Sequence, residues 1–287
     1  GDTMHNHSVL RSEILTEFKN HINSCLEHCR KYYYVLGNHD QYLPDSSKYH
    51  ALQCFNIDNF NYFDKKTDIG DITFVPYIND ISKFPLKTKP ICIAHQTFIG
   101  ADYGYYRPDV GVDADKVSAD IIISGHIHKR QSFGKVHYIG TPVSHDLNDI
   151  DQAKCIAVFD TDTYKFEYIY SPFPAWRSID INIDSEFSIT DINEHILSRV
   201  NDTDKWVIRL TGLKSDIFSY IETPSWRNIQ KKYNITLKPI FINSNKKGLK
   251  KIKATNFFNI VDEYIDQIYN GAVDKETLKH EFVKMFK

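Results

Sequence analysis

The chain has 287 residues, 41% of them hydrophobic, which is enough to build the cores of one large domain and a smaller one. Its 35 Lys and Arg nearly balance its 37 Asp and Glu, which excludes an overall basic surface, so any contact with a polyanion has to be local. Five scattered cysteines exclude a disulfide scaffold and favour reduced thiols in an intracellular protein; no apolar stretch is long enough to span a bilayer, and no signal peptide opens the chain.

An amphipathic helix and a series of short strands are predicted for the first half of the chain. From Val9 to Arg30, apolar residues recur at spacings of three and four, as on a helix that packs on a sheet. Strands are predicted at residues 32–36, 72–75, 91–94 and 121–123. Three of them lead directly into polar motifs, which are Gly37-Asn38-His39-Asp40, His95 and Gly125-His126-Ile127-His128. Because such strand ends meet at one edge of a layered α/β sheet, we expect these motifs to share a site.

The second half predicts further strands, a domain boundary and a small α/β unit. Strands at 136–139, 155–159 and 166–170 continue the first domain up to two prolines, Pro172 and Pro174. Strands at 176–183, 206–210 and 235–242 then alternate with helices at 191–200 and 225–232. A lysine-rich linker precedes two helices, at 257–269 and 275–286. We therefore predict three domains, at residues 1–172, 173–245 and 246–287.

The polar residues of these motifs are ligand types for a pair of divalent metal ions. Asp2 offers a carboxylate that can bridge two ions, Asn38 offers an amide oxygen, and three histidines offer imidazole nitrogens: His95, His126 and His128. Mixed oxygen and imidazole ligands suit manganese, iron or zinc better than magnesium or calcium. Two ions about 3.5 to 4 Å apart can activate a water and neutralise phosphoryl oxygens. His39, beside Asn38, is suited to protonate a leaving oxygen, and Asp40 to orient His39.

The ordered set of motifs resembles the calcineurin-like metallophosphoesterases. Within that superfamily the chain is most similar to the SbcD-type DNA repair exonucleases, which include phage recombination endonuclease subunits. Gly1-Asp2-Thr3-Met4-His5 resembles their Gly-Asp-x-x-His motif, and Tyr138-Ile139-Gly140-Thr141-Pro142 resembles their strand and turn after His-x-His. The resemblance implies an α/β fold, specifically a four-layer metallophosphoesterase β-sandwich flanked by helices. It also implies a small α/β capping domain at 173–245 and partner-docking C-terminal helices at 246–287.

The same resemblance implies residue roles, an activity and partners. One ion would be bound by Asn38, His95, His126 and the bridging Asp2, and the other by Asp2 and His128. His39 and His5 would be catalytic, with His5 near the scissile phosphate; an exposed loop residue is the alternative for His5. The implied activity is that of a manganese-dependent DNA nuclease, hydrolysing phosphodiester bonds in recombination and repair in the cytoplasm of a bacterium or a phage-infected cell. The implied partners are DNA and an SbcC-type coiled-coil ATPase subunit, and the family also allows a homodimer.

One family motif, Asp-x-His at the end of the first strand, occurs nowhere in this sequence. The family uses it to supply two ligands to the ion that we assign to His128. We therefore expect that the chain is truncated at its amino terminus and lacks the first strand, binds one ion well and is inactive as it stands. Two alternatives stay open: a phosphomonoesterase or protein phosphatase of the same superfamily, and a non-catalytic scaffold that kept the fold and lost the metals.

Two further groups of residues are candidates for contact with DNA. Tyr103, Tyr105, Tyr106 and Arg107 lie between two metal motifs and are suited to stacking on bases or sugars; an ordinary surface loop is the alternative. A run of lysines that includes Lys247 and Lys250 is suited to contact phosphates; a solvated linker is the alternative.

Overall fold

The computed structural model describes residues 1–3, 11–43, 46–104, 106–183 and 188–242. By its internal contacts the chain divides into two units, Gly1–Ile240 and Phe241–Lys287. The described part is a mixed α/β structure with four α-helices and several sheets, which confirms the α/β class. The predicted linker and C-terminal helices lie outside the described residues, and the predicted domain boundaries stay predictions.

The first part of the described chain contains one helix and ten strands. In chain order they are α1 (Ser12–Leu26), β1 (Tyr32–Val35), β2 (Gln41–Leu43), β3 (Ser46–His50), β4 (Phe60–Phe63), β5 (Thr67–Ile69), β6 (Ile72–Val75), β7 (Ile91–His95), β8 (Ile121–Gly125), β9 (Gln131–Phe133) and β10 (Val136–Tyr138). The remaining elements are β11 (Cys155–Asp160), β12 (Lys165–Tyr170), β13 (Trp176–Ile183), α2 (Ile189–Leu197), β14 (Lys205–Gly212), α3 (Lys214–Ile221), α4 (Pro224–Lys232) and β15 (Ile235–Phe241).

A six-stranded sheet forms the centre of the first part, with strand order β5-β6-β7-β8-β10-β9. Strands β6, β7, β8 and β10 are parallel, and the edge strands β5 and β9 pair in antiparallel fashion. The apolar runs of β7 and β8 are mostly buried, as expected for parallel strands covered on both faces. Their register places His95 opposite Gly125, so the motifs after these two strands emerge side by side.

A smaller two-stranded parallel sheet, β1 with β4, is covered by helix α1. Phe18 and Ile22 form the buried face of the helix, and the Phe18 ring meets the Tyr34 ring edge-on at a centroid distance of 5.7 Å. The predicted helix is confirmed with shorter bounds. The backbone amide of Tyr77, just after β6, donates to the carbonyl of Leu36, just after β1, at 2.8 Å. This hydrogen bond joins the end of β1 to the end of the central sheet.

The region after residue 172 forms a small α/β layer, as predicted. Its sheet has the order β13-β14-β15, with β13 and β14 parallel, and its core includes Trp206, Trp226 and Ile192. Ser188 caps α2 by accepting from the Asp191 amide, and Thr223 caps α4 ahead of Pro224. Helix α3 was not predicted, because its eight residues are too few to display a clear helical period.

Within the part of the chain that the structure describes, no helix is both long enough and apolar enough to cross a membrane.

The central strand β8 provides a test of the core. Ile122 is fully buried, whereas Ile156 on β11 is about half exposed at 53%. We expect Ile122→Ala to lower the free energy of unfolding by about 2 to 5 kcal/mol, because it leaves a cavity in a packed sheet. Ile156→Ala, the matched control, should change it by less than about 0.5 kcal/mol. Urea denaturation followed by circular dichroism measures both; similar losses in the two variants would contradict this packing of the core.

Candidate metal centre

The candidate site lies where strands β1, β7 and β8 end. His95 is the last residue of β7, and His126 directly follows the last residue of β8. Asn38 opens a short 3-10 turn, Asn38–Asp40, just after β1. Parallel strands present their carboxyl ends at the same edge of a sheet, and the hydrogen bond from Tyr77 to Leu36 brings β1 to that edge. The fold therefore brings Asn38, His95 and His126 to the same edge of the sheet.

Asp2 and His95 form the first contact of the site. The Asp2 Oδ2 atom lies 2.9 Å from His95 Nε2, and Asp2 Oδ1 accepts a hydrogen bond of 2.8 Å from the His39 backbone amide. The other ring nitrogen of His95, Nδ1, is buried next to Gly125 and has no hydrogen-bond partner among the described residues. Packing and Asp2 together therefore hold the His95 imidazole in place.

Asn38 and His126 form the second contact. The Asn38 Oδ1 atom lies 2.9 Å from His126 Nδ1. His126 has a positive φ of 79° and Asp2 one of 64°, the left-handed region that non-glycine residues rarely adopt. Such conformations cost on the order of 1 kcal/mol or more and persist only where the surroundings impose them, typically at functional sites. Two of the residues that meet here are thus held in unfavourable backbone conformations.

The ligand atoms of Asp2, His95 and His126 all lie within 4.8 Å of one another. Asn38 adds an amide oxygen beside His126. One carboxylate, one amide and two imidazoles in this spacing are the ligand types expected for a divalent transition metal. These four residues could hold one such ion.

Burial sets the protonation of this cluster. The pKa of His126 is lowered to about 4, mainly by its burial and next by the neighbouring His95. Burial also lowers the pKa of His95. Burial alone would raise the pKa of Asp2, but the hydrogen bond and charge of His95 and the His39 amide outweigh it and lower that pKa. At neutral pH the cluster therefore offers two neutral imidazoles and one ionised carboxylate, the states in which these groups bind metals.

A buried carboxylate, Asp40, anchors the loops that carry these ligands. Asp40 Oδ2 accepts hydrogen bonds of 2.8 Å from the backbone amides of Asp2 and Gly37, and the Tyr34 hydroxyl donates to the Asp40 carboxylate at 2.9 Å. The same hydroxyl accepts from the Thr3 amide at 3.0 Å. Gly37 has to be glycine, because a Cβ at this position would overlap the Asp2 carboxylate. Asp40 was predicted to orient His39, and that role stays a prediction. The hydrogen bonds described here instead tie Asp40 to the backbone of Asp2 and Gly37.

His39 lies beside the cluster without belonging to it. It is half-buried, it is not among the three residues whose ligand atoms converge, and its charge acts on both Asp2 and His126. The His39 imidazole therefore lies close to the candidate ligands without being one of them.

The structure places His128 apart from the converging ligand atoms of Asp2, His95 and His126. Its Nδ1 atom lies 3.9 Å from Asp149 Oδ1, which is close enough for an ion pair but too far for a hydrogen bond. Its ring is 5.5 Å from the ring of His145, centroid to centroid. Burial lowers the pKa of His128, and the Asp149 charge acts in the opposite direction. The two histidines of Gly125-His126-Ile127-His128 therefore have different surroundings, and the assignment of His128 to a second ion stays a prediction.

The candidate DNA-contact residues are only partly described. Arg107 is exposed and lies 3.8 Å from Asp102, which also pairs with Lys129 at 2.6 Å. Tyr103 stacks on Tyr106 at a centroid distance of 4.9 Å, and the Tyr103 ring meets the His126 ring edge-on at 6.1 Å. His5, Tyr105, Lys247 and Lys250 lie outside the described residues.

Three residues near the site were missed by the sequence analysis. The Tyr77 ring packs against the rings of both His126 and His95, at centroid distances of 5.5 and 6.5 Å. Tyr77 closely follows β6, so the rule used for the other strand ends could have found it. The other two residues, Asp149 and Lys154, form a buried ion pair beside His128. Neither directly follows a buried strand, and their spacing in the sequence matches no motif.

No protein-family model matches the chain, and no curated protein matches its sequence.

The cluster predicts the effect of losing either histidine. We expect His95→Ala and His126→Ala each to remove the same tightly bound ion, because each takes one imidazole from one ligand set. Affinity for manganese should fall by at least the roughly 10- to 100-fold that loss of an outer-shell partner costs. Calorimetric titration and elemental analysis measure this, with His195→Ala on α2 as the control that keeps the ion. A full metal complement in either variant would remove that histidine from the site.

Proposed function

We propose that this chain is a metal-dependent phosphodiesterase of the metallophosphoesterase type and that its substrate is DNA. One observation carries the proposal: Asp2, Asn38, His95 and His126, which come from four separate segments, converge at the ends of β1, β7 and β8. The order of the motifs along the chain supports the same conclusion, because it is the order in which metallophosphoesterases supply their ligands.

The finer fold assignment belongs to this proposal. We propose that the six-stranded sheet and the β1–β4 sheet, which is covered by α1, represent layers of the metallophosphoesterase sandwich. The α/β layer of β13, β14 and β15 would then be the cap over the substrate. The parallel centre of the large sheet and the position of the ligands at its carboxyl edge support this assignment.

The donor set fits a divalent transition metal such as manganese, iron or zinc. We take manganese as the cofactor because of the resemblance of the motifs. When bound, a pair of such ions supplies an activated water and neutralises phosphoryl oxygens. Asp2, Asn38, His95 and His126 would hold one ion, and His128 would contribute to the other. The His39 amide and Asp40 keep Asp2 in place, so the chain itself determines where its bridging carboxylate lies.

His39 is proposed as the proton donor to the leaving oxygen. Its proximity to Asp2 and His126, together with its place outside the converging ligands, supports this role. Three parts of the proposal rest on the resemblance of the motifs: DNA as the substrate, an SbcC-type ATPase as the partner and a cytoplasmic location. On the same ground, the proposal includes His5 as a catalytic residue and four residues as DNA contacts: Tyr105, Arg107, Lys247 and Lys250. The guanidinium of Arg107 is exposed at the surface.

The decisive experiment compares substrates, using the protein as its complete gene encodes it. We expect manganese to support hydrolysis of DNA and of bis(p-nitrophenyl) phosphate, and Asn38→Ala to abolish both, since it removes a ligand. Asn201→Ala, in the loop before β14, is the matched control. Hydrolysis of p-nitrophenyl phosphate alone would indicate a phosphomonoesterase, and absence of any metal-dependent hydrolysis would leave the non-catalytic scaffold.

The role of His39 predicts a dependence on the leaving group. His39→Ala should keep the bound metal and reduce hydrolysis of DNA by about 10²- to 10⁴-fold, the usual contribution of a general acid. Hydrolysis of bis(p-nitrophenyl) phosphate should change much less, because nitrophenolate leaves without a proton. Steady-state rates on the two substrates provide the measurement; equal losses on both would exclude His39 as the acid.

A further inference from the structure

A buried lysine, Lys154, sits at the base of the His128 loop. Its Nζ atom lies within hydrogen-bonding distance of four oxygens: the His128 carbonyl at 3.0 Å, the Thr141 hydroxyl at 2.9 Å, the Asp149 carboxylate at 2.7 Å and the Gln152 side-chain carbonyl at 3.0 Å. Lys154 is 6% exposed and Asp149 only 1%. Both the ammonium and the carboxylate are thus buried, and a buried charge is unfavourable unless an opposite charge pairs with it.

Lys154 and the Gly140–Thr141 turn hold the His128 backbone from two sides. The His128 carbonyl accepts from Lys154 and also from the Thr141 amide, at 3.1 Å. Gly140 has a φ of 80°, and a Cβ at this position would lie 2.6 Å from the His128 carbonyl oxygen. Only a glycine allows the turn to approach so closely. The Gly140-Thr141-Pro142 motif therefore has a structural use here beyond that of an ordinary turn.

Asp149 acts on the ring of the same histidine. Its Oδ1 atom lies 3.9 Å from His128 Nδ1, and its Oδ2 atom accepts the His145 amide at 2.8 Å, which fixes the carboxylate. A negative charge beside Nδ1 favours the neutral tautomer that carries its proton on Nδ1. The lone pair then lies on Nε2, which is left available as a ligand. At 3.9 Å Asp149 acts on the ring through its charge and not through a hydrogen bond.

Stability alone does not account for this pair. Replacement of a buried ion pair by apolar residues of similar size is often neutral or stabilising, because burial of two charges costs about as much as their attraction returns. A buried pair that also contacts the backbone and the ring of one histidine is better explained by the positioning of that histidine.

We propose that the Lys154–Asp149 pair positions His128: Lys154 fixes its backbone, and Asp149 holds its imidazole in the Nδ1–H tautomer so that Nε2 is available as a ligand. Both are positioning residues, since neither lies among the converging ligand atoms of Asp2, His95 and His126. What His128 then binds rests on the proposed function; its orientation and tautomer do not.

The test uses the metal-free full-length protein labelled with ¹⁵N-histidine. Long-range ¹H–¹⁵N spectra at pH 8 report the tautomer of each neutral imidazole, and comparison with His128→Gln assigns the His128 signals. We expect wild-type His128 to be mainly the Nδ1–H tautomer. The Nε2–H form, which free imidazoles prefer, would overturn the proposal without the need for any further variant.

The charge-free double variant Lys154→Met/Asp149→Asn separates positioning from stability. It removes both charges while keeping similar shapes and an acceptor for the His145 amide. We expect it to melt near the wild-type temperature, with His128 shifted towards the Nε2–H tautomer. Lys135→Met is the matched control, since Lys135 is a partly buried lysine that donates to the Val117 carbonyl; it should leave the His128 spectrum unchanged. An unchanged His128 spectrum in the folded double variant would overturn the proposal.

Activity supplies a second readout. Hydrolysis of bis(p-nitrophenyl) phosphate by the double variant should fall about 10- to 100-fold, as for other partners that orient metal-binding histidines. The tight manganese held by Asp2, Asn38, His95 and His126 should remain. A wild-type protein with the Nδ1–H tautomer and no phosphodiesterase activity would support the positioning of His128 and overturn the proposed function. Full activity in the double variant would overturn the positioning role.

Discussion

The Asp2 carboxylate is the group on which the rest of the site depends. It is withdrawn from water and ionised, and such a group is stable only where hydrogen bonds and charges replace its hydration. His95 and the His39 amide supply that replacement, and Asp40 holds the Asp2 backbone. Because Asp40 is itself bound by Tyr34 in the core under α1, the carboxylate is connected to the hydrophobic interior. A change in that interior would therefore be transmitted to the carboxylate of the candidate metal centre.

Backbone geometry, as much as side-chain chemistry, shapes this site. His126 and Asp2 adopt left-handed conformations, and Gly37 leaves the space that Asp2 occupies. Gly140 makes a similar close approach on the His128 side. The strain at His126 is sustained by strand β8, whose parallel pairing on both sides prevents the following loop from relaxing. The paired strand therefore fixes the conformation of the short loop that follows it.

Much of the fold and of the ligand cluster could be predicted from the sequence, and the reason is local. Strands β6, β7 and β8 are short apolar runs that are buried on both faces, and a residue at the end of such a strand is placed by the sheet itself. Asn38, His95 and His126 follow that rule. Strands β4 and β9 have no comparable run. The Lys154–Asp149 pair and the Tyr34–Asp40 contact depend on segments brought together only by folding, which no periodic pattern records. His128 shows the limit of motif reasoning, since its neighbourhood differs from that of His126 two residues away.

The register of β7 against β8 has a consequence for how this protein can vary. His95 faces Gly125 at the end of five paired residues, so a single insertion or deletion within either strand would move a ligand and turn the buried faces outward together. Residues 96–120 connect the two strands, and some of them, such as Phe98 and Val112, are buried in the core. The mostly exposed stretch at 106–110 is under no such restriction, because lengthening a surface connection costs little. That stretch carries Tyr106 and Arg107. Homologous chains should therefore differ in length and composition there while Asn38, His95 and His126 keep their places at the strand ends. The surface beside the candidate metal centre would then vary and the centre itself would not.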